Sequence, residues 1–266
     1  MGNRMTAPAV RARKVADGSP PLVMVTAYDA PGARMVDEAG ADLILVGDSL
    51  AMVVLGYDDT LQVTVDDMAH HTAAVARARP SALVVADLPW LSYHVSIDDA
   101  VRNAATLIRA GAGAVKLEGG AKRAAVVEAI VDAEIPVMGH LGLTPQSVNV
   151  FGGYRVQGRG EAGEQLLHDA KALEAAGAFA VVLECVPEDL AQRVTSSLSV
   201  PTVGIGAGSG TDAQVLVWQD MAGLVPHTAK FVKKYAAVGD LLGQAAREYA
   251  EEVVGGSFPA PEHSYH

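Results

Sequence analysis

Short, almost unbroken apolar runs alternate along the chain with longer stretches in which apolar residues recur every third or fourth position. The runs fall at 22–27 (LVMVTA), 43–47 (LILVG), 82–87 (ALVVAD), 113–118 (GAVKLE), 135–140 (IPVMGH), 179–184 (FAVVLE), 201–206 (PTVGIG) and 221–225 (MAGLV). Runs of this length, rich in β-branched residues, are the mark of strands buried on both faces. Helical spacing covers 30–39, 66–78, 97–110, 122–133, 161–176, 187–197 and 211–217, with a last helix near 239–254. Strands joined through helices form a parallel sheet, and eight such units predict an α/β fold of the closed (β/α)8 kind, a TIM barrel. A doubly wound open sheet is the alternative, but no Gly-x-Gly-x-x-Gly follows the first strand, LVMVTAYDAPG.

Three segments share one pattern: EAGADLILVGDS (38–49), RAGAGAVKLEGG (109–120) and AAGAFAVVLECV (175–186). Each reads as a helix end, a glycine stop, an apolar strand and then a carboxylate: Asp48, Glu118 or Glu184. No linker rich in Pro, Gly or Ser divides the chain, so one barrel domain is expected over 1–266, with an N-terminal extension of about 1–20. The basic start, MGNRMTAPAVRARKVADG, reads as a short surface helix ended by Asp17 and Gly18. Two long inserts, 49–65 and 141–160, follow strand ends, where barrel active-site loops lie.

Half the residues are hydrophobic and 19% are charged, ample for a large core. The formal net charge of −11 argues against a nucleic-acid partner, which requires a concentrated basic surface. The single cysteine, Cys185, excludes an internal disulfide and suits a reducing compartment. No apolar run approaches the roughly 18 residues of a spanning helix, and the start lacks the apolar core of a secretory signal, so a cytoplasmic location away from membranes is expected.

The segment AVKLEGG (114–120) places Lys116 and Glu118 inside an apolar strand, two apart and therefore on one face. In a barrel such residues converge on the mouth at the strands' C-terminal ends. There they join Asp48 with Ser49, Asp87, His140 and Glu184. Four carboxylates with one lysine and one histidine suit a divalent metal, and hard cations such as Mg²⁺ take oxygen ligands. Asp48 and Asp87, short and on adjacent strands, are the expected direct ligands; Glu118 binds directly or through water. The competing structural role, capping of the following helices, does not account for Lys116 or Glu184 within apolar runs.

Lys116 either fixes a substrate carboxylate or forms a Schiff base, and a structural ion pair with Glu118 is its fallback. Glu184, bracketed by apolar residues in VVLEC, is expected to be a desolvated general base, against the alternative of a buried ion pair with an arginine. His140 takes a supporting role. The glycine-rich run GIGAGSG (204–210) is either a phosphate-binding loop or a tight turn.

Several segments together, VTAYD, LVGDS, ADLPW, VKLEGG, GHLGLTPQS, FGGYRVQGR, LECVP, VGIGAG and EHSYH, closely resemble the ketopantoate hydroxymethyltransferase family, also called the 3-methyl-2-oxobutanoate hydroxymethyltransferase family. Trp90 stands where that family usually has Phe, and Gln62 where it usually has Pro. The resemblance implies a barrel of the phosphoenolpyruvate/pyruvate type that is dependent on Mg²⁺. It implies transfer of a hydroxymethyl group from 5,10-methylenetetrahydrofolate to 3-methyl-2-oxobutanoate through a metal-stabilised enolate, giving 2-dehydropantoate for pantothenate synthesis. It further implies Asp48 and Asp87 as metal ligands that also meet the substrate, with Glu118 associated with the metal. Ser49 and Lys116 become partners of the keto acid's carboxylate, and Glu184 the proton acceptor. A homo-oligomer, typically a decamer of two pentamers, is implied as well. Rival readings are a metal-dependent lyase acting on another 2-keto acid, a class I aldolase, and an inactive barrel serving assembly or binding.

Overall fold

In the computed structural model, which describes residues 4–225 and 228–265, eight parallel strands close into a barrel in chain order. They are β1 (Leu22–Thr26), β2 (Leu43–Val46), β3 (Leu83–Asp87), β4 (Ala114–Glu118), β5 (Val137–Gly142), β6 (Ala180–Glu184), β7 (Thr202–Ile205) and β8 (Ala213–Leu216). Pairing of β8 with β1, from Leu22 opposite Ala213 to Val25 opposite Leu216, closes the ring. The chain divides into two compact units, Met1–Val217, which contains the barrel, and Trp218–His266.

In the first unit α1 (Ala7–Arg11) precedes the barrel, and α2 (Ala30–Glu38) follows β1. The long β2 connection holds α3 (Leu50–Val53) ahead of α4 (Val65–Arg77). Next come α5 (Ile97–Arg109) after β3 and α6 (Ala124–Asp132) after β4. The long β5 connection holds α7 (Val148–Phe151) ahead of α8 (Ala162–Ala175), and α9 (Glu188–Ser197) follows β6. The second unit contains α10 (Trp218–Met221) and α11 (Val238–Gly255), whose Tyr249 meets the Phe258 ring edge-on at 5.5 Å. Helix starts are fixed locally: the side chains of Asp29, Thr64 and Ser96 accept the N–H groups of Gly32, Asp67 and Asp99.

The interior follows the two-residue period of the strands. Leu22 and Met24, Leu43 and Leu45, Leu83 and Val85, Ala180 and Val182, and Ala213 and Val215 form one buried cluster with Ala114, Met138 and Val203. Continuing the same parity along the chain leads from Val85 to Asp87, from Ala114 to Lys116 and Glu118, from Met138 to His140 and from Val182 to Glu184. The lower layers of the barrel are thus apolar, and the ionisable residues are gathered at the strands' C-terminal ends, where barrel active sites lie.

Two expectations are corrected. The last strand lies at Ala213–Leu216, not at 221–225, and 211–217 is therefore not a helix. Asp212 and Gln214 break the apolar run there and imitate helical spacing, but both are satisfied by the barrel. Asp212 accepts from Lys14 at 2.8 Å and from the N–H groups of Val15 and Thr202, each at 2.9 Å. Gln214 donates to the Gly208 carbonyl and to Thr211. The basic start is also not a plain surface helix, because Ala7 and Val10 of α1 are buried against the first residues of the strands. Asp17 and Gly18 end a separate 3₁₀ turn, Val15–Asp17, that follows α1. Residues 1–3 of the expected extension and the final His266 of EHSYH lie outside the described residues.

Candidate active site

Strand register brings the polar residues of the top layer into one network. Asp87 on β3 stands opposite Lys116 on β4, and Glu118 opposite His140 on β5. Lys116 Nζ lies 2.9 Å from Asp87 Oδ1 and 3.2 Å from His140 Nδ1. Nδ1 is also 3.3 Å from Glu118 Oε1, and Nε2 on the other side of the ring is 3.2 Å from Glu184 Oε2. Asp48, just past β2, joins by donating its backbone N–H to Asp87 Oδ2 at 3.0 Å. Asp48, Asp87, Lys116, Glu118 and His140 are buried, whereas Ser49 and Glu184 are partly exposed and so face the opening. The desolvation expected of Glu184 is therefore incomplete, its side chain being 17% exposed. Its buried partner is a histidine rather than an arginine.

Ser49 Oγ lies 2.9 Å from the Tyr28 hydroxyl. Gly47 makes room for it, since a Cβ there would lie 2.8 Å from Ser49 Oγ. At Gly142 φ is +91° and a Cβ would collide with the Glu184 carbonyl oxygen, so only glycine lets β5 end this close to the proposed base.

Neither Asp48 nor Asp87 spends its carboxylate on a helix start. Asp48 Oδ2 accepts from Gln146 Nε2 at 2.8 Å, and α3 begins without a side-chain cap. Gln146 is a member that sequence reasoning missed. Its backbone N–H donates to Glu118 Oε2 at 3.0 Å, and its Oε1 accepts from the Tyr93 hydroxyl at 2.6 Å. Tyr93 in turn accepts the Glu118 N–H at 3.2 Å, which ties the loops after β3 and β5 to two carboxylates. The available signal was position: both residues lie in connections that follow strand ends.

Burial, and then repulsion from Asp87 and Glu118, raises the Asp48 pKa well above the usual carboxylate range. For Lys116 burial acts in the opposite direction to its neighbours, but the Asp87, Glu118 and Asp48 carboxylates prevail and its pKa is raised. A lysine held protonated is poorly suited to Schiff-base formation, which requires the neutral amine. Burial and the Lys116 charge oppose protonation of His140, yet the neighbouring Glu118 and Glu184 carboxylates outweigh them and raise its pKa to about 9.

The donor set fits a hard divalent cation. Among the described residues no three or more His, Cys, Asp or Glu side chains converge as a complete protein cage would, but Mg²⁺ commonly takes only one or two carboxylates, leaving positions for water and substrate. Asp48 and Asp87 form such a pair, and their mutual repulsion is what a cation offsets. Asp87 Oδ1 and Glu118 Oε1 are also buried without an aligned hydrogen bond. Of the run 204–210, Gly204 and Ile205 end β7, and beyond them the Ser209 N–H and hydroxyl both donate to Glu188 Oε1 at 3.3 Å, so a carboxylate already occupies those two donors.

Comparison with known proteins places this geometry in context. The family model for ketopantoate hydroxymethyltransferase matches residues 4–261. A protein of Thermobifida fusca (strain YX) named 3-methyl-2-oxobutanoate hydroxymethyltransferase is 63% identical over 244 residues, which cover 91% of this chain and 87% of that protein. Its namesake from Moorella thermoacetica (strain ATCC 39073 / JCM 9320) is 57% identical over 266 residues, covering 99% of this chain and 98% of that protein. Among solved structures, 2,3-dimethylmalate lyase, described as a PEP mutase/isocitrate lyase superfamily member, superposes with a TM-score of 0.63 at 19% identity, covering 96% of this chain and 92% of its own. Phosphonopyruvate hydrolase, solved with oxalate and Mg²⁺, gives a TM-score of 0.63 at 15% identity, covering 97% and 93%. At such identities these two likenesses are of fold alone.

Proposed function

The chain belongs to the ketopantoate hydroxymethyltransferase family, and from that premise we propose that it transfers a hydroxymethyl group from 5,10-methylenetetrahydrofolate to 3-methyl-2-oxobutanoate, giving 2-dehydropantoate for pantothenate biosynthesis. The carrying observation is the row Asp87, Lys116, His140 and Glu184, in which a buried, clamped cation and a partly exposed carboxylate belong to one network.

Lys116 offers the keto acid's carboxylate a fixed positive charge, and the Ser49 hydroxyl a hydrogen bond. That anchorage directs the C3–H bond of the substrate towards Glu184. His140 holds Glu184 Oε2 at 3.2 Å, leaving Oε1 to take the C3 proton. Water cleaves the two C–N bonds of the donor's methylene bridge, releasing tetrahydrofolate and formaldehyde. The C–H electron pair passes into the keto group, and the resulting enolate carbon attacks the formaldehyde carbon to form the new C–C bond. The alkoxide so formed takes back the proton held by Glu184 to become the hydroxymethyl group. Asp48 and Asp87, with Glu118 beside them, would hold Mg²⁺, which when bound supplies a Lewis acid towards the keto oxygen. Tyr93 and Gln146 keep the Asp48 and Glu118 carboxylates oriented. The resemblance supports a cytoplasmic homo-oligomer, a decamer. Among the described residues no helix is long and apolar enough to cross a membrane.

Proton exchange tests the reading without the second substrate. In D₂O with Mg²⁺, the protein is expected to replace the C3 hydrogen of 3-methyl-2-oxobutanoate with deuterium, read by NMR. Exchange no faster than in buffer would dismiss the reading.

A further inference from the structure

Beside the mouth, where β4 and β5 end, a cavity of about 330 Å³ opens between the turn after β4, the long connection after β5 and the start of α8. It shares Tyr93 and Glu118 with the site described above, and Gly142, the close neighbour of the Glu184 carbonyl, forms part of its wall. Its size is at the lower end of small-molecule sites, which run from about 300 to 1,000 Å³.

The polar lining is unbalanced in favour of donors. Lys122 and Arg123 have no carboxylate partner among the described residues. The Arg123 guanidinium lies 5.7 Å from the centre of the Tyr93 ring, and its Nε is buried with no hydrogen-bond acceptor. His94 stacks on Tyr93 with ring centres 4.1 Å apart, and its Nδ1 is likewise buried without a partner. Burial and the charges of Arg123 and Lys122 push the His94 pKa down to about 4, so it is a neutral hydrogen-bonding group near neutral pH. The two acids of the cavity are already engaged. Asp169 accepts from the Ala121 N–H at 2.9 Å and from Gln165 at 3.1 Å, while Glu118 serves Gln146 and faces His140.

Buried polar groups without partners are rare in folded proteins, and each calls for an explanation such as an ion or ligand that completes it. Two unpaired cations select an anion, and a guanidinium fits a carboxylate with two parallel hydrogen bonds. The keto acid does not need this place, because its single carboxylate is served by Lys116 and Ser49 at the mouth. Phe151 and Leu166 add an apolar wall suited to a flat, uncharged portion of the same ligand. We propose that this cavity binds the carboxylate-bearing end of the one-carbon donor, whose other end reaches Glu184 past Gly142. The inference rests on the proposed function and adds to it the position of the second substrate.

The test is steady-state kinetics on the Mg²⁺-loaded full chain carrying Lys122→Gln together with Arg123→Gln. The KM for 5,10-methylenetetrahydrofolate is expected to rise at least tenfold. The KM for 3-methyl-2-oxobutanoate and its donor-free C3 exchange are expected to stay at wild-type values. Lys122→Gln alone, a change at an exposed side chain that spares the fold, is expected to give a smaller rise of the same kind. An unchanged donor KM with exchange intact would overturn this site and leave the proposed function standing. A wild-type protein without exchange would overturn both.

Discussion

Glu184→Gln is expected to lower kcat for hydroxymethyl transfer by about 10²–10⁴-fold, the usual contribution of a positioned general base, with little change in the KM for the keto acid. Glutamine keeps the shape of the side chain and its contact with His140 but cannot take the C3 proton. The proposed contacts of the keto acid, Lys116 and Ser49, are not touched by the substitution. Transfer kinetics and deuterium exchange at C3 read the same step, so both are expected to fall together. Exchange persisting at the wild-type rate would assign the base to another group.

Asp48→Ala is expected to weaken Mg²⁺ binding by at least about 100-fold in calorimetry, since even partners that only orient a metal's ligands are worth 10–100-fold. Unchanged affinity would move the ligand role elsewhere. A second effect separates binding from folding. Asp48 has a raised pKa, so its burial is tolerated while it is protonated, and that stability is lost as pH rises through the elevated value. Asp48→Asn removes the penalty and is expected to raise the melting temperature of the metal-free protein at neutral pH. Mg²⁺ stabilises the wild type in the same assay but not this variant. A functional carboxylate that costs the fold stability until a cation offsets its charge follows the usual compromise at active sites.

Much of the barrel was legible because its strands are uniformly apolar and its helices keep strict periodicity. Seven of the eight strands lie where the apolar runs predict them, and helices such as α5 and α9 lie within a residue of their expected bounds. The exception, β8, is instructive. Asp212 and Gln214 read as the polar face of a helix because their partners, Lys14 and Gly208, lie elsewhere in the sequence. Lys14 also shows why the N-terminal segment was read too simply: its charge lies in the protein interior against Asp212, close to two residues of α1 that the barrel buries.

The acids of the mouth were legible for a related reason. A carboxylate that keeps the parity of an apolar strand has to point into the barrel, and Glu118 and Glu184 do so. Lys116 and Glu118 in AVKLEGG, two apart on β4, are not partners of each other at ion-pair distance. One meets Asp87 and the other His140. Tyr93 and Gln146 stayed hidden because neither lies in a periodic element. Their roles depend on where two irregular connections fold back over the mouth, and local sequence does not specify that geometry. The incomplete burial of Glu184 had the same origin, since its apolar neighbours line the strand rather than the opening.

The most direct test of the account is formation of 2-dehydropantoate from 3-methyl-2-oxobutanoate and 5,10-methylenetetrahydrofolate by the purified protein, with Mg²⁺ and after chelation with EDTA. Turnover is expected to require both substrates, to stop on chelation and to return when Mg²⁺ is restored. No 2-dehydropantoate in the presence of Mg²⁺, or turnover indifferent to its removal, would contradict it.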